Sequence, residues 1–302
     1  MVIITMFDEL KKQNFDEFKT ILNSCYENSE SSVASMYIWQ HYYNTKFCVK
    51  NDIIYSIYDM HGTISPEAFM PYGANRNSCE ATDFLISYFE QNFNKYPKIN
   101  LATEDYLQFL LECGKYNIRY EEKRNSFDYV YNTKDLIDLS GRKYHAKKNN
   151  YNSFVKNHNI EYRRYDSDMH DKCIEFCSDV IKQRTKDNEK IYNSEMHSIE
   201  KAFEAYDLLN LICSLIIVDD KIVALSLGEK LTDNCALIHI EKASYDYRDA
   251  YPVINRLTLQ NEFSNLEYVN REEDLGIPGL RKAKESYHPC RMIKKYKIEF
   301  LK

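Results

Sequence analysis

The chain has 302 residues, of which 44% are hydrophobic and 28% charged, and its formal net charge is −6 at pH 7. This charge excludes a general electrostatic attraction to nucleic acid or membrane, so any polyanion must bind a local basic cluster. The length predicts two domains. Nine cysteines without a CxxC pair are typical of reduced thiols in a cytoplasm. No apolar run reaches the roughly 18–20 residues of a membrane span, so we expect a cytoplasmic protein, soluble or peripheral to the inner leaflet.

The first half of the sequence predicts helices that alternate with short strands. Apolar residues at helical spacing mark the helices, and short apolar runs next to turn residues mark the strands. In chain order we predict helices over residues 14–26 and 31–43, a hairpin of strands 46–50 and 53–58, a strand over 67–72, a helix over 78–93, a strand over 99–102, a helix over 104–113, and strands over 117–120 and 127–131.

The second half predicts the same order with clearer patterns. We predict a strand over 160–165, helices over 169–184 and 194–208, strands over 210–218, 221–229 and 235–243, a helix over 252–263, a strand over 266–269, a helix over 277–287 and a strand over 292–300. Residue identity between the halves is negligible, so the repeat is one of architecture.

This order of elements resembles the GNAT-type acyltransferase fold, used twice. The resemblance implies an α/β protein with mixed sheets, formed by two tandem GNAT-like domains. We expect an N-terminal domain over residues 1–135, a basic helical connector over 136–157, and a C-terminal domain over 158–302 that carries the functional site.

Basic residues concentrate in two stretches of this acidic chain, residues 141–164 and 281–297. The first stretch includes Lys143, Lys147 and Lys148. Such clusters bind phosphate groups through charge and hydrogen bonds. A solvated helix face beside a basic strand edge is the alternative explanation.

Polar residues crowd the ends of two predicted strands, where an α/β sheet usually binds its ligand. Glu241 ends the central strand, and its neighbour ends in NREED at residues 270–274. Glu241 or Asp274 could hold a substrate ammonium group, and Arg271 could hold a carboxylate or phosphate. An ordinary ion pair at the sheet edge would use the same residue types, and the sequence leaves both explanations open.

Residues beside these strand ends add further candidates. Asp246 and Arg248 lie in the loop after the central strand, where they serve either substrate binding or turn formation. Arg281 and Lys284 lie three residues apart and share one face of a predicted helix. No spacing supports a catalytic triad or a metal cluster, so we expect neither a covalent enzyme intermediate nor a metal.

The loop after the central strand contains no glycine. A CoA-dependent GNAT enzyme holds the pyrophosphate on successive backbone N–H groups of a glycine-containing loop at a helix start. Here residues 244–251 read SYDYRDAY, and the bulky tyrosines hinder close backbone approach. The sequence therefore disfavours acetyl-CoA as the acyl donor without excluding it.

Three segments carry a resemblance to a known family. They are LSGRKYHAKKNNYNSF at 139–154, HIEKA at 239–243 and VNREEDLGIPGLRKAKESYHP at 269–289. They resemble the soluble C-terminal domain of bacterial phosphatidylglycerol lysyltransferases, and more closely the stand-alone members labelled DUF2156. The family implies tandem GNAT-type domains, as in the Fem peptidyl aminoacyltransferases. The similarity covers most of the chain but is weak across the first 130 residues.

The resemblance also implies transfer of an aminoacyl group from aminoacyl-tRNA to an acceptor, which is phosphatidylglycerol in the membrane-anchored members. By motif position, the aminoacyl and acceptor site would be lined by Glu241, Asn270, Arg271, Glu272, Asp274, Arg281 and Lys284. The lysines that would face phosphates of tRNA or lipid are Lys143, Lys147 and Lys148. We take as candidate catalytic residues Glu241, Arg271, Asp274, Arg281 and Lys284, and as candidate substrate-binding residues Asn270, Glu272, Asp246, Arg248 and the three lysines.

The sequence supports three functional hypotheses. The first is an aminoacyltransferase that needs no bound cofactor, with aminoacyl-tRNA as donor and a lipid head group or small molecule as acceptor. The second is a CoA-dependent N-acetyltransferase with acetyl-CoA as donor. The third is a non-catalytic module that binds tRNA or anionic lipid, although such a module does not need five polar residues at one strand end.

Overall fold

The computed structural model describes residues 6–23, 25–59, 66–185, 188–247 and 249–301. Its helices are α1 (Phe15–Leu22), α2 (Val33–Tyr43), α3 (Cys79–Phe93), α4 (Glu104–Cys113), α5 (Thr133–Asp138), α6 (His145–Asn157), α7 (His170–Thr185), α8 (Glu189–Glu204), α9 (Ala250–Glu262) and α10 (Pro278–Glu285). Its strands are β1 (Lys46–Lys50), β2 (Ile53–Tyr58), β3 (Glu67–Phe69), β4 (Lys98–Thr103), β5 (Ile118–Glu122), β6 (Asp128–Asn132), β7 (Ile160–Arg164), β8 (Ile212–Val218), β9 (Lys221–Lys230), β10 (Cys235–Ala243), β11 (Tyr268–Asn270), β12 (Arg291–Ile293) and β13 (Lys295–Phe300).

The first compact unit consists of Met1–Asp128, Glu273–Pro278 and Met292–Lys302. Its sheet has the strand order β1-β2-β3-β4-β13-β5. Strands β3 and β4 are parallel, with Ala68 beside Ile99, and the remaining neighbours are antiparallel. Helix α4 packs on β4 and β13 and buries Leu107 and Leu110, the apolar residues of its inner face.

The second compact unit consists of Tyr129–Glu272 and Gly279–Arg291. Its sheet has the strand order β12-β6-β11-β10-β9-β8-β7, and β10 and β11 are parallel. Helix α9 packs on β8, β9 and β10. It buries Val253 and Ile254 in one core with Ile216 and Ala224 of the sheet. This layer holds the carboxyl end of β10 in place, and that end carries the candidate site.

Each sheet contains one strand from the other half of the sequence. Strand β6, the last of the first half, pairs with β11 in the second sheet, with Tyr131 beside Val269. Strand β13, the last of the second half, lies between β4 and β5 in the first sheet. In both sheets the exchanged strand runs antiparallel to the second strand of the parallel pair. The two halves have therefore exchanged their final strands.

This exchange divides the chain differently from the consecutive domains expected at residues 1–135 and 158–302. The boundary between the compact units falls at Asp128–Tyr129, and the end of the chain returns to the first unit. The strand predicted over 292–300 is two strands, β12 and β13, in different sheets. The reason is physical, because alternation determines which face of a strand is buried and not which strand lies beside it.

The predicted α/β fold class is confirmed, since the protein has two mixed sheets with packed helices. The predicted hairpin of residues 46–50 and 53–58 is β1–β2, and the strands predicted over 210–218 and 221–229 pair as β8–β9. Several bounds differ: the helix predicted over 14–26 ends at Leu22, the strand predicted over 67–72 ends at Phe69, and the helix predicted over 194–208 is Glu189–Glu204. Helix α5 was not predicted. Within the described ranges, none of the helices has the length and apolar composition needed to cross a membrane.

A buried ion pair joins the first residues of the two exchanged strands. Nζ of Lys295, at the start of β13, lies 2.6 Å from Oδ1 of Asp128, at the start of β6, and both side chains are 0% exposed. Lys295 also donates to Glu30 and to Ser29 Oγ, over 2.5 and 3.1 Å. Burial lowers the pKa of Lys295, but the carboxylates of Asp128 and Glu30 raise it overall, so the ammonium group stays charged.

Lys295→Ala should lower the free energy of unfolding by roughly 3–5 kcal/mol, because it removes the buried cation that Asp128 and Glu30 contact. Urea unfolding followed by circular dichroism measures this loss. Lys294→Ala is the matched control, since Lys294 is exposed and lies 3.6 Å from Glu104. It should cost less than about 1 kcal/mol. Equal stability of the two variants would contradict a structural role for the buried pair.

Candidate functional site

The parallel strands β10 and β11 pair over a short length and then separate. Their register joins Cys235–Leu237 to Tyr268–Asn270. Strand β10 continues to Ala243, and over this part it pairs with β9. Beyond Leu237, the other edge of β10 has no paired strand among the described residues. The carboxyl ends of both strands border this gap, which is where α/β sheets commonly bind ligands.

An arginine and a glutamate are joined across this gap. Nη2 of Arg271 donates to Oε2 of Glu241 over 2.9 Å, and the two side chains are 13% and 11% exposed. The guanidinium group lies 4.9 Å from the ring centre of Tyr287 and 5.8 Å from that of Tyr131. Burial lowers the pKa of Arg271, but the Glu241 carboxylate raises it overall. The cation is therefore charged and held between a carboxylate and two aromatic rings.

This ion pair retains one buried donor and one buried acceptor with free capacity. Within the part of the chain that the structure describes, Nη1 of Arg271 and Oε1 of Glu241 are buried and have no hydrogen-bond partner. The same is true of the hydroxyl group of Ser226, which lies beside Glu241 in the register of β9 and β10. Buried polar atoms are nearly always hydrogen-bonded, so these three atoms can bind a polar ligand.

Helix α6 brings a second cation to the ring of Tyr287. Nζ of Lys147 lies 4.1 Å from the ring centre. Burial lowers the pKa of Lys147, the positive charge of Arg271 lowers it further, and Glu241 raises it. The structure thus brings together three of the predicted residues, Lys147, Arg271 and Glu241. With two cations and one carboxylate, this cluster has a surplus of positive charge.

The other two lysines predicted to bind phosphate are exposed. Lys143 lies 3.4 Å from Asp135 and 4.8 Å from the ring centre of Tyr144. Lys148 is exposed on α6, next to Lys147. Their exposure is compatible with contact to a phosphate chain in solvent, and their role stays a prediction.

Lys284 supports the backbone of the site. Its Nζ donates to the carbonyl oxygens of Arg271 and Glu272, the second over 3.3 Å. The Lys284 carbonyl accepts a hydrogen bond of 2.9 Å from the hydroxyl group of Tyr131. Arg281 lies one turn earlier on the same helix and is half-buried. Lys284 therefore positions the chain segment that carries Arg271.

Glu272 is held by a buried histidine. Nδ1 of His239 lies 3.2 Å from Oε1 of Glu272, and Nε2 lies 3.0 Å from Oε1 of Glu229. Burial lowers the pKa of His239, but hydrogen bonds to the two carboxylates raise it to about 9. The backbone N–H of Glu272, which has φ +57°, donates to Oδ1 of Asn270 over 2.7 Å. Glu272 and Asn270 thus shape the turn next to Arg271.

Three further predicted residues have other positions. Asp274 belongs to the first compact unit and is 0% exposed. Its carboxylate accepts from Nη1 of Arg124 over 3.1 Å and from the N–H of Gly276 over 2.8 Å. These bonds account for Asp274 as a buried residue of a turn, and its catalytic role stays a prediction. Asp246 is exposed in the loop after β10, and Arg248 lies outside the described residues.

The sequence gives little indication that Tyr131 and Tyr287 belong to the cluster. Tyr287 is expected to pack inward from a helix, and Tyr131 ends a strand expected in the other domain. A usable signal exists for one of them, because Tyr287 lies within ESYHP, part of a segment that carries the family resemblance. Aromatic residues otherwise indicate core packing, so pattern alone does not separate these two tyrosines from the rest.

The cluster suits a polar organic ligand better than a metal ion. Its side chains are two cations, one carboxylate and two tyrosines, whereas protein metal sites gather several carboxylate, imidazole or thiolate groups. Among the residues that the structure describes, no three His, Cys, Asp or Glu side chains are grouped closely enough to hold a metal ion.

The chain belongs to a known protein family. The family model described as "Phosphatidylglycerol lysyltransferase, C-terminal" matches residues 24–299. The resemblance predicted from the sequence segments is therefore confirmed. The description of the family supports the predicted transferase class.

The chain is also similar in sequence or structure to several known proteins. The structure of a conserved protein of unknown function from Bacteroides thetaiotaomicron is 25% identical, with a TM-score of 0.90 over 99% of this chain and 100% of that chain. The C-terminal domain (DUF2156) of a putative lysylphosphatidylglycerol synthetase from Agrobacterium fabrum is 13% identical, with a TM-score of 0.69 over 96% and 92%, and shows the fold alone. An uncharacterized protein of Mycoplasmoides gallisepticum is 24% identical over 62% of this chain. This match spans 60% of the length of that relative.

The free energy of unfolding should fall as the pH rises from about 6.5 to about 9. The folded-state pKa of His239 is raised to about 9 from an ordinary value of 6.5. Its charge therefore stabilises the fold fully below pH 6.5, and this contribution is lost as the pH rises through 9. Urea unfolding at several pH values measures the free energy of unfolding as a function of pH. This free energy should change clearly less with pH in His239→Gln than in the wild-type protein. His145→Gln, at an exposed histidine, is the matched control. The same pH dependence of the unfolding free energy in the wild type and both variants would contradict a stabilising role for the charged His239.

Proposed function

We propose that the protein is an aminoacyltransferase whose donor site is the Glu241–Arg271 pair in the gap between β10 and β11. The donor is an aminoacyl-tRNA, and the acceptor is a hydroxyl or amino group of a lipid head group or another small molecule. The observation that carries the proposal is the pair of buried atoms, Arg271 Nη1 and Glu241 Oε1, which have no partner among the described residues. One donates and the other accepts a hydrogen bond, as the reacting end of an aminoacyl ester requires.

The two open atoms suit the two polar groups of the donor. The ammonium group of the aminoacyl ester would donate to Glu241 Oε1, which makes a charge-assisted hydrogen bond. The ester carbonyl oxygen would accept from Arg271 Nη1. Ammonium and carbonyl groups are attached to adjacent carbon atoms, so a pair already 2.9 Å apart can bind both together. Because the pair is formed before binding, little side-chain entropy is lost.

In the proposed reaction the acceptor oxygen or nitrogen attacks the ester carbonyl carbon. A bond forms between the acceptor and this carbon, and the bond from the carbon to the ribose oxygen of the tRNA breaks. Negative charge develops on the carbonyl oxygen, where the guanidinium group of Arg271 stabilises it. The acceptor proton ends on the ribose oxygen, transferred through the Glu241 carboxylate or a substrate hydroxyl group.

The positive surplus of the cluster supports a donor that carries phosphate. Lys147 and Arg271 both lie over the ring of Tyr287, and together they outnumber the carboxylate of Glu241. Lysine side chains bind nucleic-acid phosphates mainly through charge. In this proposal Lys147 contacts a phosphate near the acylated end of the tRNA, and the exposed Lys148 contributes to the surrounding field.

Acetyl-CoA fits the same site less well. The acetyl group has no ammonium group for Glu241, and the loop after β10 offers no glycine for close approach of a pyrophosphate. Calorimetry with millimolar acetyl-CoA tests this alternative directly. If acetyl-CoA binds and its acetyl group is transferred, acetyl-CoA replaces aminoacyl-tRNA as the proposed donor.

Arg271→Ala should reduce aminoacyl transfer by about 10²–10³-fold, the usual loss when one donor to a developing oxyanion is removed. The assay follows a labelled amino acid from charged tRNA to vesicles that contain phosphatidylglycerol, and to soluble hydroxyl and amine acceptors. Glu241→Gln should mainly raise KM for the donor, because the amide still accepts a hydrogen bond but no longer attracts the ammonium group through charge.

Arg291→Ala is the matched control for Arg271→Ala. The Arg291 guanidinium also lies over a tyrosine of the same unit, 4.3 Å from the ring centre of Tyr268. It should retain nearly full transfer, provided that circular dichroism shows a folded protein. Full aminoacyl transfer by Arg271→Ala would contradict the assignment of the donor site to the Glu241–Arg271 pair. Salt-sensitive tRNA binding without transfer from any charged tRNA would instead favour a non-catalytic binding module.

Lys147→Ala and Lys148→Ala should have different effects although the residues are adjacent. Lys147→Ala should raise KM for charged tRNA roughly tenfold. It should also reduce the slope of the logarithm of the binding constant against the logarithm of the salt concentration by about 1, the value for one lost phosphate contact. Lys148→Ala should change KM less than about threefold, because Lys148 is an exposed charge in screened solvent. Filter binding and initial rates at two salt concentrations measure both. Equal effects would indicate a diffuse basic surface instead of a defined contact at Lys147.

A further inference from the structure

Two cysteines outside the candidate site lie next to each other at the ends of two helices. Cys79 is the first residue of α3, and Cys113 is the last residue of α4. Their Sγ atoms are 3.6 Å apart, and both thiols are free and partly exposed. A disulfide bond is about 2 Å long, so a small side-chain movement would bring these sulfur atoms to bonding distance.

Polar contacts around the thiols hold the two helix ends together without the sulfur atoms. The hydroxyl group of Tyr116, just after α4, donates to the carbonyl oxygen of Cys79 over 3.1 Å and to Oδ1 of Asp83 over 3.0 Å. Nζ of Lys115 lies 2.5 Å from Oδ2 of the same Asp83. The approach of the thiols is therefore fixed by the surrounding fold, and little chain entropy opposes bond formation.

We propose that Cys79 and Cys113 form a reversible intrachain disulfide, with a small disulfide such as glutathione disulfide as the oxidant. One thiolate attacks a sulfur atom of glutathione disulfide, which forms a mixed disulfide and releases one glutathione. The second cysteine attacks the protein sulfur of the mixed disulfide and releases the other glutathione. Two electrons pass from the cysteines to glutathione disulfide, and the two thiol protons end on the released glutathiones.

Other cysteines of the chain differ from Cys79 and Cys113 in their exposure to solvent. Cys173, Cys177 and Cys213 are 0% exposed. Burial raises the pKa of Cys213 well above its ordinary value, which keeps the thiol protonated and unreactive. Cys25 and Cys290 are exposed and therefore serve as accessible single thiols for comparison.

The bond would close a loop across 34 sequence positions that contains the whole of α3, β4 and α4. Strand β4 lies between β3 and β13 in the first sheet. Cross-linking a loop of this length restricts the unfolded chain. Oxidation should therefore stabilise the first unit against thermal unfolding and leave its folded structure almost unchanged.

Oxidation of the full chain in glutathione redox buffers tests the proposal. We expect a mass loss of about 2 Da, loss of two of the nine thiols, and one cross-linked peptide that joins Cys79 to Cys113. We also expect the Tm to rise by roughly 5 °C or more, reversibly with dithiothreitol. Cys79→Ser and Cys113→Ser should each abolish the cross-link and the Tm rise, whereas Cys25→Ser and Cys290→Ser should retain both.

Two results would overturn the proposal. One is a stable glutathione adduct on Cys79 or Cys113 with no peptide that joins them at any redox ratio. The other is a cross-link that forms only after urea has unfolded the chain, because it would show that the folded geometry does not bring the thiols together. If a serine variant folds poorly, peptide mapping of the oxidised wild-type protein still decides between these outcomes.

Discussion

The buried ion pair of Lys295 and Asp128 fixes the two strands that the halves of the sequence exchange. Each residue begins its strand, and each side chain is 0% exposed. A shift of either strand in register would break this buried ion pair. Strand β6, which begins at Asp128, carries Tyr131 to the guanidinium group of Arg271. The candidate site of the second unit therefore depends on a strand that precedes the domain boundary expected from the sequence.

Most of the secondary structure could be predicted because its determinants are local. Strands β8 and β9 are two apolar runs on either side of Asp219 and Asp220, and both aspartates have the positive φ values that such a turn needs. The strand exchange could not be predicted, since it is decided by pairing between segments far apart in sequence. Lys294 illustrates the limit. It is one exposed residue in an otherwise strand-like stretch, yet the strands before and after it belong to different sheets.

The sequence predicted which side chains meet at the strand ends, but it did not separate the contacts that each of them makes. Side chains at the ends of neighbouring strands meet, and Glu241 and Arg271 do form an ion pair. Some polar side chains around Arg271 form hydrogen bonds to the backbone instead. The side chains of Asn270 and Asp274 accept hydrogen bonds from N–H groups two residues ahead, in turns whose φ values the sequence does not reveal. A crowd of polar residues therefore indicates a site without separating the ligand-binding residues from the turn-forming ones.

The first unit contains a comparable cluster, which clarifies what distinguishes the candidate site. Arg76, which follows β3 of its parallel strand pair, lies 4.2 Å from the ring centre of Tyr26 and donates to Asp105, which follows β4. An arginine that is paired with a carboxylate and packed on tyrosine thus occurs near the parallel strand pair of each unit. Within the described ranges Arg76 has no buried atom without a partner, whereas Arg271 and Glu241 have one each. This remaining hydrogen-bonding capacity, and not the ion pair itself, is what distinguishes the second cluster as the candidate site.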